Sequence, residues 1–226
     1  MGFIFKGGIM DKVKRNSQLT RTIAEIAIFA ALGYVLDFLA GTYSKGIFPN
    51  GGSIGIALIC VFVVAFRRGT IAGVTTGLIM GLLDLIDGFY AVAGTWYYVF
   101  FQVFLDYIAA YLLAGFAGLF RPLILKNYNN NTKLILYVDL ACLIGGLLKF
   151  LAHFLSGYIF WGSDDGMIWS QFHGLPALYS LAYNIAYMLP CIILTIAVLD
   201  GVLLLNKNII FDNNVLLAFR QNKEIK

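Results

Sequence analysis

Long apolar runs recur along this chain, and they constrain its fold more than any other feature. Six segments reach or approach the ~20 apolar residues that a helix needs to cross a membrane: 22–40, 53–67, 70–88, 96–120, 134–160 and 177–205. Only helices or closed barrels satisfy their backbone hydrogen bonds in lipid, and these runs are too long and too uniformly apolar for barrel strands. The sequence therefore predicts an all-α integral membrane protein with six transmembrane helices.

Composition supports this class. Of all residues, 60% are hydrophobic and only 12% are charged, whereas soluble domains have about 25% charged residues. The positive charges then predict the orientation, because 14 of the 16 Lys and Arg residues fall on one side of a six-helix arrangement. Cytoplasmic loops are enriched in Lys and Arg, so both termini are predicted to be cytoplasmic. The opposite side carries Lys45, Asp164 and Asp165.

The expected organisation is one membrane domain with two cytoplasmic ends. It consists of an N-terminal segment (1–21), a six-helix domain (22–205) and a C-terminal tail (206–226).

The sequence lacks the motifs of several functional classes. No basic stripe with interleaved aromatic residues is present, so nucleic acid is not an expected partner. Cys60, Cys142 and Cys191 have apolar neighbours and no CxxC pair, which predicts buried free thiols and neither a disulfide nor a metal site. The motifs HExxH, GxSxG and GxxxxGK[ST] are absent, so we expect neither a membrane enzyme nor an ATPase, and no cofactor.

Polar residues inside the predicted helices are costly in lipid and therefore mark candidate sites. In the fifth helix, Lys149, His153, Gly157 and Trp161 recur every four residues and form one stripe. Gly157 would let another group approach the helix closely. The alternative is that His153 bonds a neighbouring helix and Trp161 belongs to the interfacial aromatic belt.

Lys149 lies deeper in the stripe and is interpreted as structural, neutralised by a carboxylate such as Asp139 or Asp84. Another alternative is a stand-alone proton-coupled carrier, in which Asp84, Asp106 and His153 would form a relay.

The fourth predicted helix carries a second group of candidates. Gln102 and Asp106 share a face at a spacing of four residues, and Trp96 and Tyr107 could point towards the same space.

The sixth helix carries Asn184, whose amide would be costly if unpaired in lipid, and a stripe formed by Tyr179, Tyr183 and Tyr187 that is typical of packing or of the belt. Together, a carboxylate, an imidazole, an amide and aromatic rings suit a flat, cationic, hydrogen-bonding ligand.

Four segments, in this order and spacing, resemble a known family: "RRGTIAGVTTGLIMGLLDLIDG", "QVFLDYIAAYLLAGFAGLFR", "KFLAHFLSGYIFW" and "YSLAYN". They are similar to the thiamine-specific S components of energy-coupling factor (ECF) vitamin transporters, the ThiT or YuaJ family. The resemblance covers about residues 20–205 and implies six helices around a thiamine site facing outside in the bacterial plasma membrane. It also implies a T subunit and two ATPase subunits as partners. An S component for another vitamin or a thiamine precursor is the alternative.

The resemblance implies ligand contacts for eight residues: Trp96, Asp106, Tyr107, His153, Gly157, Trp161, Tyr179 and Asn184. Asp106 stands where the family often has Glu, and Trp96 where it commonly has Tyr. This chain lacks the Trp that some members place in the loop 41–52, so lid contacts would shift to Phe48 or Tyr43.

On the first helix, Ala27 and Ala31 resemble the small-residue surface that docks on the T subunit. Internal packing is the alternative explanation for these small residues.

Overall fold

The computed structural model describes residues 2–162, 168–211, 214–217 and 219, with side chains described from residue 16 onward. This part of the chain is helical and contains no β-strand, which confirms the predicted all-α class. Asp164, Asp165 and residues 220–226 of the predicted tail lie outside the described residues.

Eight α-helices make up the described chain. They are α1 (Gly2–Ser44), α2 (Leu58–Arg68), α3 (Thr70–Asp84), α4 (Trp96–Val103), α5 (Ala110–Ala114), α6 (Arg121–Lys126), α7 (Asn131–Ile159) and α8 (Pro176–Asn206). A π-helical turn, Phe104–Ala109, joins α4 to α5, and a 3-10 segment, Gly115–Phe120, joins α5 to α6. Helix α1 begins well before the predicted membrane boundary at residue 22, and the organisation into three regions stays a prediction.

Five helical segments of the described chain are long and apolar enough to cross a membrane: Asn16–Ser44, Thr70–Asp87, Trp96–Lys126, Asn131–Ile159 and Pro176–Ile209. The protein is therefore a multi-pass membrane protein.

The second predicted segment, 53–67, differs from expectation. Helix α2 begins only at Leu58 and has 11 residues, about 16 Å at the α-helical rise, whereas the hydrocarbon core is about 30 Å thick. Because Gly51, Gly52 and Gly55 disfavour a regular helix, the chain enters α2 through an irregular stretch. The count of six spans and the cytoplasmic termini stay predictions.

Helix α2 lies in the interior of the bundle, since eight of its 11 residues are buried. Its last two residues tie it to α1. Arg67 and Arg68 each donate two hydrogen bonds to the Glu25 carboxylate, at 2.9–3.0 Å and 2.6–2.9 Å. Bidentate guanidinium–carboxylate pairs are strong and geometrically specific. Both arginines contribute to the charge asymmetry that predicts the orientation, and in the structure they also fix where α1 and α2 meet.

Helix α3 presents glycines at every fourth position to the backbone of the next membrane span. A Cβ atom at Gly77 would lie 2.1 Å from the Tyr111 carbonyl oxygen, and one at Gly81 would lie 2.4 Å from the Tyr107 carbonyl oxygen. Small residues let membrane helices approach this closely. The glycines thus set the position of Tyr107 and Tyr111 relative to α3.

Gly77→Ala is expected to destabilise the protein by about 1–3 kcal/mol, because α3 must move away from a backbone atom that cannot yield. The matched control is Gly201→Ala in α8, where a Cβ would meet nothing within 4 Å and the substitution is neutral or slightly stabilising. Thermal unfolding of both variants in detergent checks this difference. Equal transition temperatures would contradict the close approach of the two helices.

Candidate ligand-binding site

A cavity of about 350 Å³ lies between α1, α3, α7, α8, the π-helical turn and the stretch before α2. Small-molecule sites usually measure about 300–1,000 Å³, so this cavity can hold a compact two-ring ligand. Seven of the eight predicted contact residues line it: Asp106, Tyr107, His153, Gly157, Trp161, Tyr179 and Asn184. Trp96 is 80% exposed and is not brought to the cavity; its ring packs on Tyr97 instead.

The carboxylate of Asp106 is held by three side chains of α7 and its C-terminal end. Ser156 Oγ donates to Asp106 Oδ2 at 2.7 Å, and Trp161 Nε1 donates to the same oxygen at 3.4 Å. His153 Nδ1 lies 3.3 Å from Asp106 Oδ1. Contacts on both oxygens fix the orientation of the carboxylate. Ser156 was missed by the sequence analysis, although its hydroxyl makes the shortest of these contacts.

The π-helical turn determines which side chains lie beside Asp106 in the cavity wall. Gln102 does not line the cavity; it is fully buried, and its Oε1 accepts a hydrogen bond from Val92 N at 3.1 Å. The prediction that Gln102 and Asp106 share a face assumed a regular α-helix. A π turn has i→i+5 hydrogen bonds and shifts the helical phase, so a spacing of four residues no longer places two side chains on one face.

The Asn184 amide connects α8 to α7. Its Nδ2 donates to Ser180 O at 2.9 Å and contacts His153 O at 3.3 Å, while its Oδ1 accepts from Tyr187 OH at 2.6 Å. The close approach predicted at Gly157 is made by this same helix, since a Cβ there would lie 2.4 Å from Ser180 Oγ. Asn184 is thus locked in one orientation at the cavity wall.

The tyrosine stripe of α8 packs in a buried cluster, as the sequence predicted, and also lines the cavity. Tyr179, Tyr183 and Tyr187 are all buried. Phe48 packs edge-on against Tyr183 and Tyr187, with ring centroids 5.7 and 5.5 Å away. Of the two residues expected to supply lid contacts, Phe48 is buried in the cavity wall, whereas Tyr43 is 62% exposed and does not line the cavity.

At the opposite end from Trp161, the cavity contains a second polar cluster. Lys149 Nζ lies 3.4 Å from the centroid of the Tyr111 ring, so an aromatic face, and neither predicted carboxylate, contacts this ammonium. Tyr111 OH donates to Asp37 Oδ2, and Ser53 Oγ donates to Asp37 Oδ1 at 2.7 Å. These residues come from separate elements, and no local sequence pattern could have brought them together.

The predicted docking residues lie on the outer face of α1. Ala27 and Ala31 are both exposed, beside Ile28 and Leu32, which are 64% and 46% exposed. Internal packing therefore does not explain these small residues within the described chain.

Membrane-crossing helices that enclose a polar and aromatic cavity define an integral membrane protein that binds a small molecule within its helix bundle. This chain belongs to the thiamine transporter protein family (Thia_YuaJ), whose sequence profile matches residues 23–211. The predicted membership of the ThiT or YuaJ family is confirmed.

Relatives of the same family match most of the chain. The thiamine transporter ThiT of Bacillus subtilis (strain 168) is 37% identical over 190 residues, which are 83% of this chain and 92% of that protein. ThiT of Lacticaseibacillus paracasei (strain ATCC 334) is 30% identical over 197 residues, covering 85% and 90% respectively. A solved structure of ThiT from Listeria monocytogenes has a TM-score of 0.66 and 26% sequence identity, covering 85% of this chain and 98% of that one.

Proposed function

We propose that this protein binds thiamine in the cavity and acts as the substrate-capture S component of an ECF vitamin transporter. Family membership supports a transport role, and the named relatives are thiamine transporters. The protein itself would not hydrolyse ATP, since its sequence carries no phosphate-binding loop; two partner ATPases and a T subunit would supply the energy.

The observation that carries the proposal is the fixed carboxylate of Asp106 beside aromatic rings. Thiamine combines a permanently cationic thiazolium ring with a flat aminopyrimidine ring. The carboxylate attracts the cation, and the rings of Trp161 and His153 offer faces for stacking. Tyr179 supplies a hydroxyl that accepts a 3.4 Å hydrogen bond from Asn50 Nδ2 and keeps its own hydrogen to donate to a polar edge of the ligand.

The charge of the cavity also favours a cation. Its formal charge is −2, because four carboxylates outnumber two ammonium groups among the lining residues: Asp37, Asp84, Asp87 and Asp106 against Lys45 and Lys149. In a site of low dielectric constant, unbalanced charge selects strongly for a ligand of opposite sign.

The proposed topology places the Trp161 end of the cavity at the outer face of the bacterial plasma membrane. The basic loops would then face the cytoplasm. Thiamine would enter from outside, beside Phe48 and the stretch that precedes α2. The exposed face of α1 that contains Ala27 and Ala31 would dock on the T subunit through close helix packing.

Tryptophan fluorescence tests ligand binding, because the chain has three tryptophans in different environments. Thiamine is expected to quench the purified protein saturably. The quenching should persist in Trp96→Phe, whose ring is 80% exposed outside the cavity, and should be largely lost in Trp161→Phe, whose ring lines it. Calorimetry of the same variants separates loss of the optical change from loss of binding.

Riboflavin serves as the control ligand. If the protein does not bind thiamine but binds another vitamin or a thiamine precursor, the fold and the family assignment stand and the proposed ligand is wrong.

A further inference from the structure

Helix α1 is the least buried of the five segments that can cross a membrane within the described part of the chain. Only 17% of the residues in its apolar stretch are buried, against 33–39% in the other four segments. A helix with few buried contacts is weakly held by packing, so its rotation about its own axis depends on specific contacts. This rotation determines whether the face that contains Ala27 and Ala31 points outward.

Glu25 makes such a contact on the opposite side of α1. At about 100° per residue, Ala27 and Ala31 lie roughly 200° and 240° around the helix axis from Glu25. Arg67 and Arg68 of α2 bind both oxygens of the Glu25 carboxylate. The three side chains are only 17%, 12% and 7% exposed for Glu25, Arg67 and Arg68, so water competes little with these bonds. Holding Glu25 against α2 therefore turns the small-residue face of α1 outward.

The two arginines differ in their other hydrogen bonds. Arg68 Nη1 donates to Gln18 Oε1 at 3.4 Å, so this arginine makes a second contact with α1. Arg67 Nη1 instead donates to the backbone carbonyl oxygens of Ile209 and Ile210, at 3.2 and 2.9 Å. The Arg67 guanidinium therefore joins α1 to the segment that follows α8.

This segment, residues 207–211, is itself held firmly by the bundle. Lys207 Nζ donates to the Tyr128 carbonyl oxygen, in the turn between α6 and α7, at 2.9 Å. Ile210 and Phe211 are 2% and 0% exposed and pack in the core of the bundle. The carbonyl oxygens that bind the guanidinium therefore have fixed positions, and they can hold α1 in place through it.

We propose that Arg67 is a positioning residue for docking. By joining Glu25 to the segment 207–211, it fixes the rotation of α1 and presents the face of Ala27 and Ala31 to the T subunit. This inference rests on the proposed function, which supplies the T subunit as partner. The four hydrogen bonds of this bridge need the planar fork of a guanidinium, because an ammonium has only three donors on one atom.

The test replaces Arg67 by lysine, which keeps the positive charge but cannot form the whole bridge. Arg67→Lys is expected to lower thiamine uptake by cells, and co-purification with the T subunit, about 10-fold. The purified variant should still bind thiamine within about 3-fold of the wild type, because Arg67 does not line the cavity and Arg68 still pairs with Glu25. Calorimetry measures this binding.

Three further variants sharpen the test. Arg68→Lys leaves the Arg67 bridge in place and should lower uptake less than about 3-fold. Arg21→Lys makes the same change at an exposed arginine of α1 and should leave uptake normal. Glu25→Gln weakens the bridge at its other end with both arginines retained, and it should reproduce the loss of uptake while thiamine binding persists.

Normal uptake by Arg67→Lys or Glu25→Gln would overturn this inference. Equal losses in Arg67→Lys and Arg68→Lys would also overturn it, since the pairing of Glu25 alone would then hold α1. A fall in thiamine binding that parallels the fall in uptake would show that the bridge only stabilises the fold. If the wild type neither binds thiamine nor supports uptake with its partner subunits, the proposed function itself fails.

Discussion

Asp106→Asn is expected to lower thiamine affinity by about 100-fold, or roughly 2.7 kcal/mol. The substitution keeps the shape of the side chain but removes the negative charge that attracts the thiazolium cation. It also replaces one acceptor oxygen with an NH2 donor. Ser156 and Trp161 direct their donors at one oxygen of Asp106, and His153 lies against the other, so the new NH2 group can only be accommodated towards His153, with Nδ1 of the neutral imidazole as its acceptor.

Calorimetry of the purified variant measures this loss, with Asp139→Asn as the control for removing a carboxylate from the membrane region. The control should bind thiamine like the wild type. If Asp106→Asn binds equally well, the cation is recognised elsewhere in the cavity, and the assignment of Asp106 is wrong.

Ala31→Trp is expected to lower thiamine uptake by cells at least about 10-fold while leaving thiamine binding to the purified protein unchanged. Close packing of membrane helices requires small side chains at the contact, and an indole on the exposed face of α1 would hold the T subunit away. The cavity is unaffected, since Ala31 does not line it. The experiment compares whole-cell uptake with binding by the same variant.

Ala197→Trp makes the same change at an exposed position of α8 and should leave uptake normal. Normal uptake by Ala31→Trp would show that this face is not the docking surface. Uptake by the protein without partner subunits, abolished by a protonophore, would instead favour the stand-alone proton-coupled carrier.

Periodicity within one helix predicted part of the site well. His153 and Gly157 are one turn apart within α7, and Trp161 follows just beyond its end, so a spacing of four residues was enough to place all three on one side of the cavity. The same reasoning failed for Gln102 because a π turn follows it. It also failed for Trp96, which was expected to point towards the same space as Tyr107 but begins α4 and is exposed outside the cavity.

The deep end of the cavity could not be predicted, because its contacts depend on tertiary packing. Asp37 belongs to α1, Ser53 to the stretch before α2, Tyr111 to α5 and Lys149 to α7. Each residue has an ordinary local pattern, and only the assembled bundle brings them together. The second segment was predicted to begin at residue 53 rather than at Leu58 for a different reason: hydropathy counts glycine as compatible with a membrane segment, whereas Gly51, Gly52 and Gly55 disfavour a regular helix before Leu58.

Because of the π-helical turn at Phe104–Ala109, the geometry of the site depends on the number of residues in this segment as well as on their types. Each residue of a helix turns the chain by about 100°. A one-residue deletion within this turn would therefore rotate the preceding segment relative to the following one, even if every contact residue were retained. A homologue with the same side chains but one residue fewer between Gln102 and Tyr111 would accordingly have a different pocket.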